Sequence, residues 1–129
     1  MFPESGEAPT KPGDVVDAYY SALASGQYAR AHAMWSPASP TGAEGIDEFE
    51  RAMLSYQSVE GHAAGPARLE GAAGTIYAEV PVTVSVVRRG IPDTRSGTAT
   101  LRKCDDVPGC TATERRWHLS AIELGASGT

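Results

Sequence analysis

Residues 77–89 read Tyr77-Ala78-Glu79-Val80-Pro81-Val82-Thr83-Val84-Ser85-Val86-Val87-Arg88-Arg89. Apolar residues fall at every second place: Ala78, Val80, Val82, Val84 and Val86 share one face, and Glu79, Pro81, Thr83 and Ser85 the other. A period of two rich in β-branched valines predicts a strand buried on one side only. Such a sheet needs a cover, and the preceding sequence supplies one.

Upstream of Tyr56 the period is 3.6. Asp14, after Pro12-Gly13, reads as a helix cap, and Val15, Val16, Tyr19, Tyr20, Ala22 and Leu23 form a broad apolar face. Asp14, Asp17, Ser21 and Ser25 lie opposite, and Gly26 ends the helix. A second helix is predicted from Tyr28 to Trp35, with Tyr28, Ala31, Met34 and Trp35 inward. After the break at Pro37 and Pro40, a third runs from Ala43 to Tyr56 and buries Ile46, Phe49, Met53 and Leu54. Its Asp47, Glu48 and Glu50 suit the positive end of the helix dipole.

Downstream the period stays near two. Residues 57–64 and 66–71 read as weak strands split by Gly65-Pro66, and 77–89 as the strongest. Gly90 and Pro92-Asp93 turn the chain into a strand over 95–104, and a last strand spans 113–124. Helices followed by an antiparallel meander make an α+β domain, three N-terminal helices packed on a curved antiparallel sheet. Residues 1–12, with three prolines and no apolar period, read as a flexible tether; 13–125 form one domain and 126–129 a tail.

Cys104 and Cys110 bracket a short loop between two strands, where facing Cβ atoms come within disulfide reach. The pair is read as a bridge, with two inert free thiols as the alternative. A bridge and a tether together point to an extracytoplasmic protein, periplasmic or secreted. A cytoplasmic protein with a frayed end is the other reading.

The chain has 129 residues, 41% of them hydrophobic, which suits a single core. Eleven Lys+Arg against sixteen Asp+Glu give a net charge of -5, which argues against a nucleic-acid partner. No run approaches the ~18 apolar residues of a membrane span. The cysteines have no histidine at zinc-like spacing, and neither a metal nor a cofactor is expected.

The stretch Val16-Asp17-Ala18-Tyr19-Tyr20-Ser21-Ala22-Leu23-Ala24-Ser25-Gly26-Gln27-Tyr28, followed by Ala31 to Trp35, resembles the opening of the nuclear transport factor 2-like superfamily. That superfamily has a cone-shaped, cystatin-like α+β fold, also seen in ketosteroid isomerase. Its opening is a helix, a Gly-Asp pair and a second helix ending in an aromatic; here Gln27 stands in place of the Asp. The segment from Phe49 and the terminal Arg116-Trp117-His118-Leu119-Ser120-Ala121-Ile122-Glu123-Leu124 are similar to its last helix and last strand. The resemblance spans residues 13–124 and implies a fold more than a function, because this framework serves isomerases, dehydratases, cyclases and binding modules alike. The cysteines and tether resemble those of exported members.

The resemblance implies a pocket between the helices and the sheet, lined by Tyr19, Tyr20, Trp35, Phe49, Met53, Val82, Val84 and Leu101. An equally simple role for these residues is to fill the core. An enzyme of this fold needs a placed acid or base, as in the Asp, Tyr and protonated Asp of ketosteroid isomerase. Asp17 and Glu79 fall on polar faces. Trp117, Leu119 and Ala121 form the inward set of the last strand, leaving His118, Ser120 and Ile122 for an outer, subunit-facing side. His32 and His62 have no acid partner at a useful spacing. Arg88-Arg89 and Arg115-Arg116 end strands, and at a common rim they would attract an acidic ligand. The expectation is a non-enzymatic domain binding a small apolar molecule or a protein. The alternatives are an isomerase- or dehydratase-type acid/base enzyme and a structural module forming homodimers through the sheet.

Overall fold

The computed structural model describes residues 11–104 and 108–125. Four helical segments precede five strands: α1 (Pro12–Ala24), α2 (Tyr28–His32), α3 (Pro40–Ala43), α4 (Ile46–Leu54), β1 (Ser58–Ala63), β2 (Arg68–Ala72), β3 (Thr75–Arg88), β4 (Ile91–Cys104) and β5 (His118–Leu124). All strand pairings are antiparallel, in the order β1-β3-β4-β5, with β2 also on β3. This is the α+β arrangement expected. Apart from residues 11 and 12 the tether lies outside the described residues, as does the tail.

The alternation in β3 holds: Ala78, Val80, Val82 and Val84 are buried against the helices, while Glu79 and Pro81 are exposed. Pro81 has no N–H to give, and its place in the sheet removes the need. β1 ends opposite Val82 and β2 begins opposite Glu79, so Pro81 stands at the gap between them. Its carbonyl, on that same side, accepts from Ala64 N at 2.7 Å.

α1 begins earlier than the Asp14 cap predicts. Lys11 is the N-cap and Pro12 takes the first turn, where a missing N–H is harmless. Asp14 instead lies within that turn, still favoured by the dipole. Val16, Tyr19 and Tyr20 are buried, and Tyr20 lies flat on β1: a Cβ on Gly61 would fall 2.6 Å from its ring. Asp17 is exposed but not idle, since its Oδ1 accepts from Ala63 N at 2.8 Å and ties α1 to β1. Gly26 follows the helix with φ +76°.

The second helix stops at His32, short of Trp35. Trp35 is extended and bridges Leu119, with Ser36 N donating to Leu119 O and Leu119 N to Met34 O, both at 2.8 Å. The predicted third helix is two pieces. Ser39 Oγ caps the single turn of α3 by accepting from Gly42 N, and Gly45 restarts the chain into α4, with its N–H donating to Glu48 Oε1. Phe49 is 1% exposed and Met53 packs beside the core, but Ile46 and Leu54 face outward at 37% and 60%. A nine-residue helix resting on α2 buries only a narrow stripe.

Pro92 and Asp93 belong to β4, not to a turn; the turn is Arg89-Gly90 alone, with both φ values positive at 54° and 76°. This is the two-residue hairpin geometry with right-handed twist. β5 pairs only from Gly97 onward, so β4 is an edge at Pro92 and tolerates the proline. The last strand starts at His118 rather than Thr113. Thr111 and Glu114 hold residues 111–114 in a turn by mutual bonds: Thr111 N donates to Glu114 Oε1 and Glu114 N to Thr111 Oγ1.

A register shift between Thr100 and Leu101 puts Ala121 opposite Thr100 and Ile122 opposite Ala99. The extra residue, Ser120, inverts the alternation beyond Leu119. Trp117 and Leu119 are buried as expected, but Ile122, not Ala121, then joins the core face.

Cys104 and Cys110 form a disulfide with Cα atoms 6.4 Å apart. The loop it closes is short, so opening it should lower unfolding free energy by only about 2 kcal/mol. Denaturant unfolding of the protein with and without dithiothreitol checks this; a loss above ~4 kcal/mol would mean the bridge holds more than its loop.

Candidate functional site

The eight residues expected to line a central pocket are placed as follows. Tyr19, Tyr20, Trp35, Phe49, Val82, Val84 and Leu101 are buried in one cluster, none more than 8% exposed. Tyr19 packs edge-on against both Tyr20 and Trp35, with ring centroids 5.0 and 5.9 Å apart. Met53 is half-buried at the border of that cluster, beside a depression of about 150 Å³ between α1, α4 and β1. The centre of the cone is thus occupied by side chains. Burial pushes the Tyr19 hydroxyl up to about 12 and raises that of Tyr20 further, so both are neutral in ordinary buffers. The buried indole N–H of Trp35 acts on the Tyr19 hydroxyl and partly offsets that rise, but among the described residues it meets no acceptor in full hydrogen-bond geometry.

Open space lies at the two ends of β4. The larger hollow, about 480 Å³, follows the core face of the sheet toward the β3–β4 turn. Val84, Val86 and Leu124 form its floor, and Tyr56 and Ile91 its walls. Ile91 and Leu124, 68% and 38% exposed, both border this hollow. Arg88, Arg89, Asp93 and Arg95 form the rim. Arg95 lies opposite Val84 and Asp93 opposite Val86, so both rise from the apolar face itself. The Arg95 Nε donates to Asp93 Oδ2 at 2.9 Å. The Arg88 guanidinium lies over the Tyr56 ring, 4.6 Å from its centroid.

The smaller hollow, about 250 Å³, lies by the disulfide between Ser36, Pro37, Arg102, Glu114 and His118. The two arginine pairs therefore do not share a rim. Arg88-Arg89 ends β3, whereas Arg115-Arg116 precedes the strand that meets Arg102, roughly 35 Å away along β4.

The histidines and acids stay apart. His32 Nε2 donates to Thr41 O at 3.1 Å and its ring packs on Phe49. His118 Nδ1 donates to Arg116 O at 3.0 Å, and His62 is exposed on β1. Glu79 pairs with Arg68 on the outer face. Among the described residues, no three His, Cys, Asp or Glu side chains gather as a metal site, and no helix is long and apolar enough to cross a membrane.

Sequence pattern does not single out Tyr56, Ile91, Arg95 or Leu124 as site residues. Reading Pro92-Asp93 as a turn hid Ile91 and the pairing of Arg95 with Val84. The inversion at Ser120 hid the inward course of Leu124.

No family model matches the chain, and no curated protein matches it in sequence. Solved structures do match in shape. A nuclear transport factor 2-like superfamily protein from Salmonella enterica serovar Typhimurium aligns with TM-score 0.59 at 13% identity, over 91% of this chain and 89% of that one. A candidate scytalone dehydratase from Novosphingobium aromaticivorans gives 0.59 at 11%, over 90% and 80%. An IcmL-like type IV secretion system protein from Legionella pneumophila gives 0.55 at 13%, over 91% and 88%. Identities this low speak to architecture and not to activity. With its helices laid on one face of an antiparallel sheet, this chain has the nuclear transport factor 2-like fold.

Proposed function

We propose that this protein is a non-enzymatic binding domain that takes a small, largely apolar molecule in the groove at the β3–β4 end. One observation carries the reading: the centre of the cone is packed shut by Tyr19, Trp35 and Phe49, while Ile91 and Leu124 stand exposed around a hollow of about 480 Å³. That volume lies in the usual range for small-molecule sites. The outer face of the sheet carries Thr83, Ser85, Thr94, Ser96, Thr98 and Thr100, a hydroxyl-rich surface that favours the groove over self-pairing as the binding feature. The disulfide supports an extracytoplasmic setting.

An acid/base enzyme is the second reading, because two structural neighbours carry a dehydratase name. Against it stands the separation of the histidines and acids: His32, His118 and Asp17 bond to backbone, and Glu79 pairs with a surface arginine.

The neutral fluorophore N-phenyl-1-naphthylamine tests the groove. Its emission should rise on addition of protein, and Val86→Trp, which fills the floor, should abolish the rise. Emission unchanged by wild-type protein, or equal for the variant, overturns the reading.

A further inference from the structure

The groove is apolar below and cationic above. Three arginines (Arg88, Arg89 and Arg95) stand against one carboxylate (Asp93), in a chain whose net charge is -5. We propose that its ligand is an amphipathic carboxylate, with its apolar body on Val84, Val86 and Leu124 and its carboxylate held by Arg88 and Arg89. This rests on the reading of the groove as a ligand site and adds the chemistry of the ligand.

Both cations are placed: Arg88 and Arg89 take part in neither of the ion pairs Arg68–Glu79 and Arg95–Asp93. Arg88 does not sweep freely through solvent, because its guanidinium rests on Tyr56. The Arg89-Gly90 turn is fixed in turn: Gln57 N donates to Val87 O at 2.7 Å, and Gln57 Oε1 accepts from Gly90 N. A guanidinium held in place offers paired N–H donors that match the two oxygens of a carboxylate. Holding it before the ligand arrives reduces the entropy lost on binding.

Arg89 itself sits at φ +54°, a conformation that favours Gly, Asn or Asp. The same place in the β2–β3 turn is filled by Ala73, so the turn geometry does not demand an arginine. A bulky cation at this site brings no conformational benefit. It does bring charge to the mouth of the groove.

Decanoate and decan-1-ol share a chain and differ in the head group, so titrating each against the full protein at pH 8 isolates the charge. Displacement of N-phenyl-1-naphthylamine gives both affinities. Decanoate should bind about ten-fold or more tightly than the alcohol, and raising the salt should narrow the gap. Arg88→Gln and Arg89→Asn should each bring the two affinities together by weakening decanoate far more than decan-1-ol. Asn suits the turn, so that variant separates loss of charge from loss of fold. Equal affinity of the two compounds for the wild-type protein overturns the carboxylate inference and leaves the groove reading standing. If neither compound nor the fluorophore binds, the groove reading itself falls. Binding only to vesicles of anionic phospholipid, with no free decanoate bound, also overturns the inference, because the arginines would then serve a membrane surface.

Discussion

Phe49→Ala should lower the free energy of unfolding by about 4 kcal/mol, the upper part of the range for removing a buried aromatic. Phe49 is 1% exposed and lies where α2 and α4 meet, with the His32 ring 5.1 Å away. Its removal takes away a large apolar surface and leaves a hole that a nine-residue helix cannot close by small shifts. With a total stability of roughly 5–15 kcal/mol for such a domain, the variant loses about a quarter of it or more. Leu54→Ala, on the same helix but 60% exposed, should change stability by under ~0.5 kcal/mol. Urea unfolding of the three proteins decides the matter. A loss below ~1.5 kcal/mol for Phe49→Ala would mean that this side chain borders open space, and would return the ligand site to the centre of the cone.

That comparison bears on how far the sequence alone could be read. The valines of β3 and the face of α1 announced themselves, because each long element repeats one simple period over many residues. Phe49 was legible as inward-facing for the same reason, as were Trp117 and Leu119. What the periods could not convey was phase where the chain breaks rhythm. One extra residue at Ser120 exchanged Ala121 for Ile122 on the core face. Pro92 looked like punctuation because a proline in a paired strand is unfavourable, yet β4 has no partner on that side there. Edge or centre is a property of the whole sheet and leaves no local mark.

The site suffered most from these gaps. Tyr19, Tyr20 and Trp35 fit either a pocket wall or a core, two roles that share one signature: a large apolar side chain at helical spacing. The structure buries them together and places the open groove at the end of the sheet. The Arg88-Arg89 pair was visible, but its companion Arg95 depended on a register running through Pro92. Asp17 shows the reverse case, since a polar face on a helix suggested only solvent. Its bond to Ala63 N joins residues 46 apart in the chain.

Gly97→Ala should lower stability by about 3 kcal/mol and also abolish binding of the neutral fluorophore. Gly97 forms one rung of the core face with Val82 on β3 and Leu124 on β5. A Cβ there would run into the carbonyl oxygen of Glu123 and come 2.7 Å from the Leu124 Cα. These are backbone atoms, so no rotamer change relieves the clash, and the carboxyl end of β5 must move away. Leu124 moves with it, and the groove loses part of its floor. Leu124→Ala separates the two effects: the side chain is 38% exposed, so stability should fall by only about 1 kcal/mol, while fluorophore binding weakens several-fold. Urea unfolding and fluorophore titration on both variants give the four numbers needed. If Gly97→Ala unfolds more easily yet binds as well as wild type, the groove does not depend on the end of β5. If it keeps full stability, β4 and β5 are not packed so closely at this rung, and the course of Leu124 into the groove is wrong.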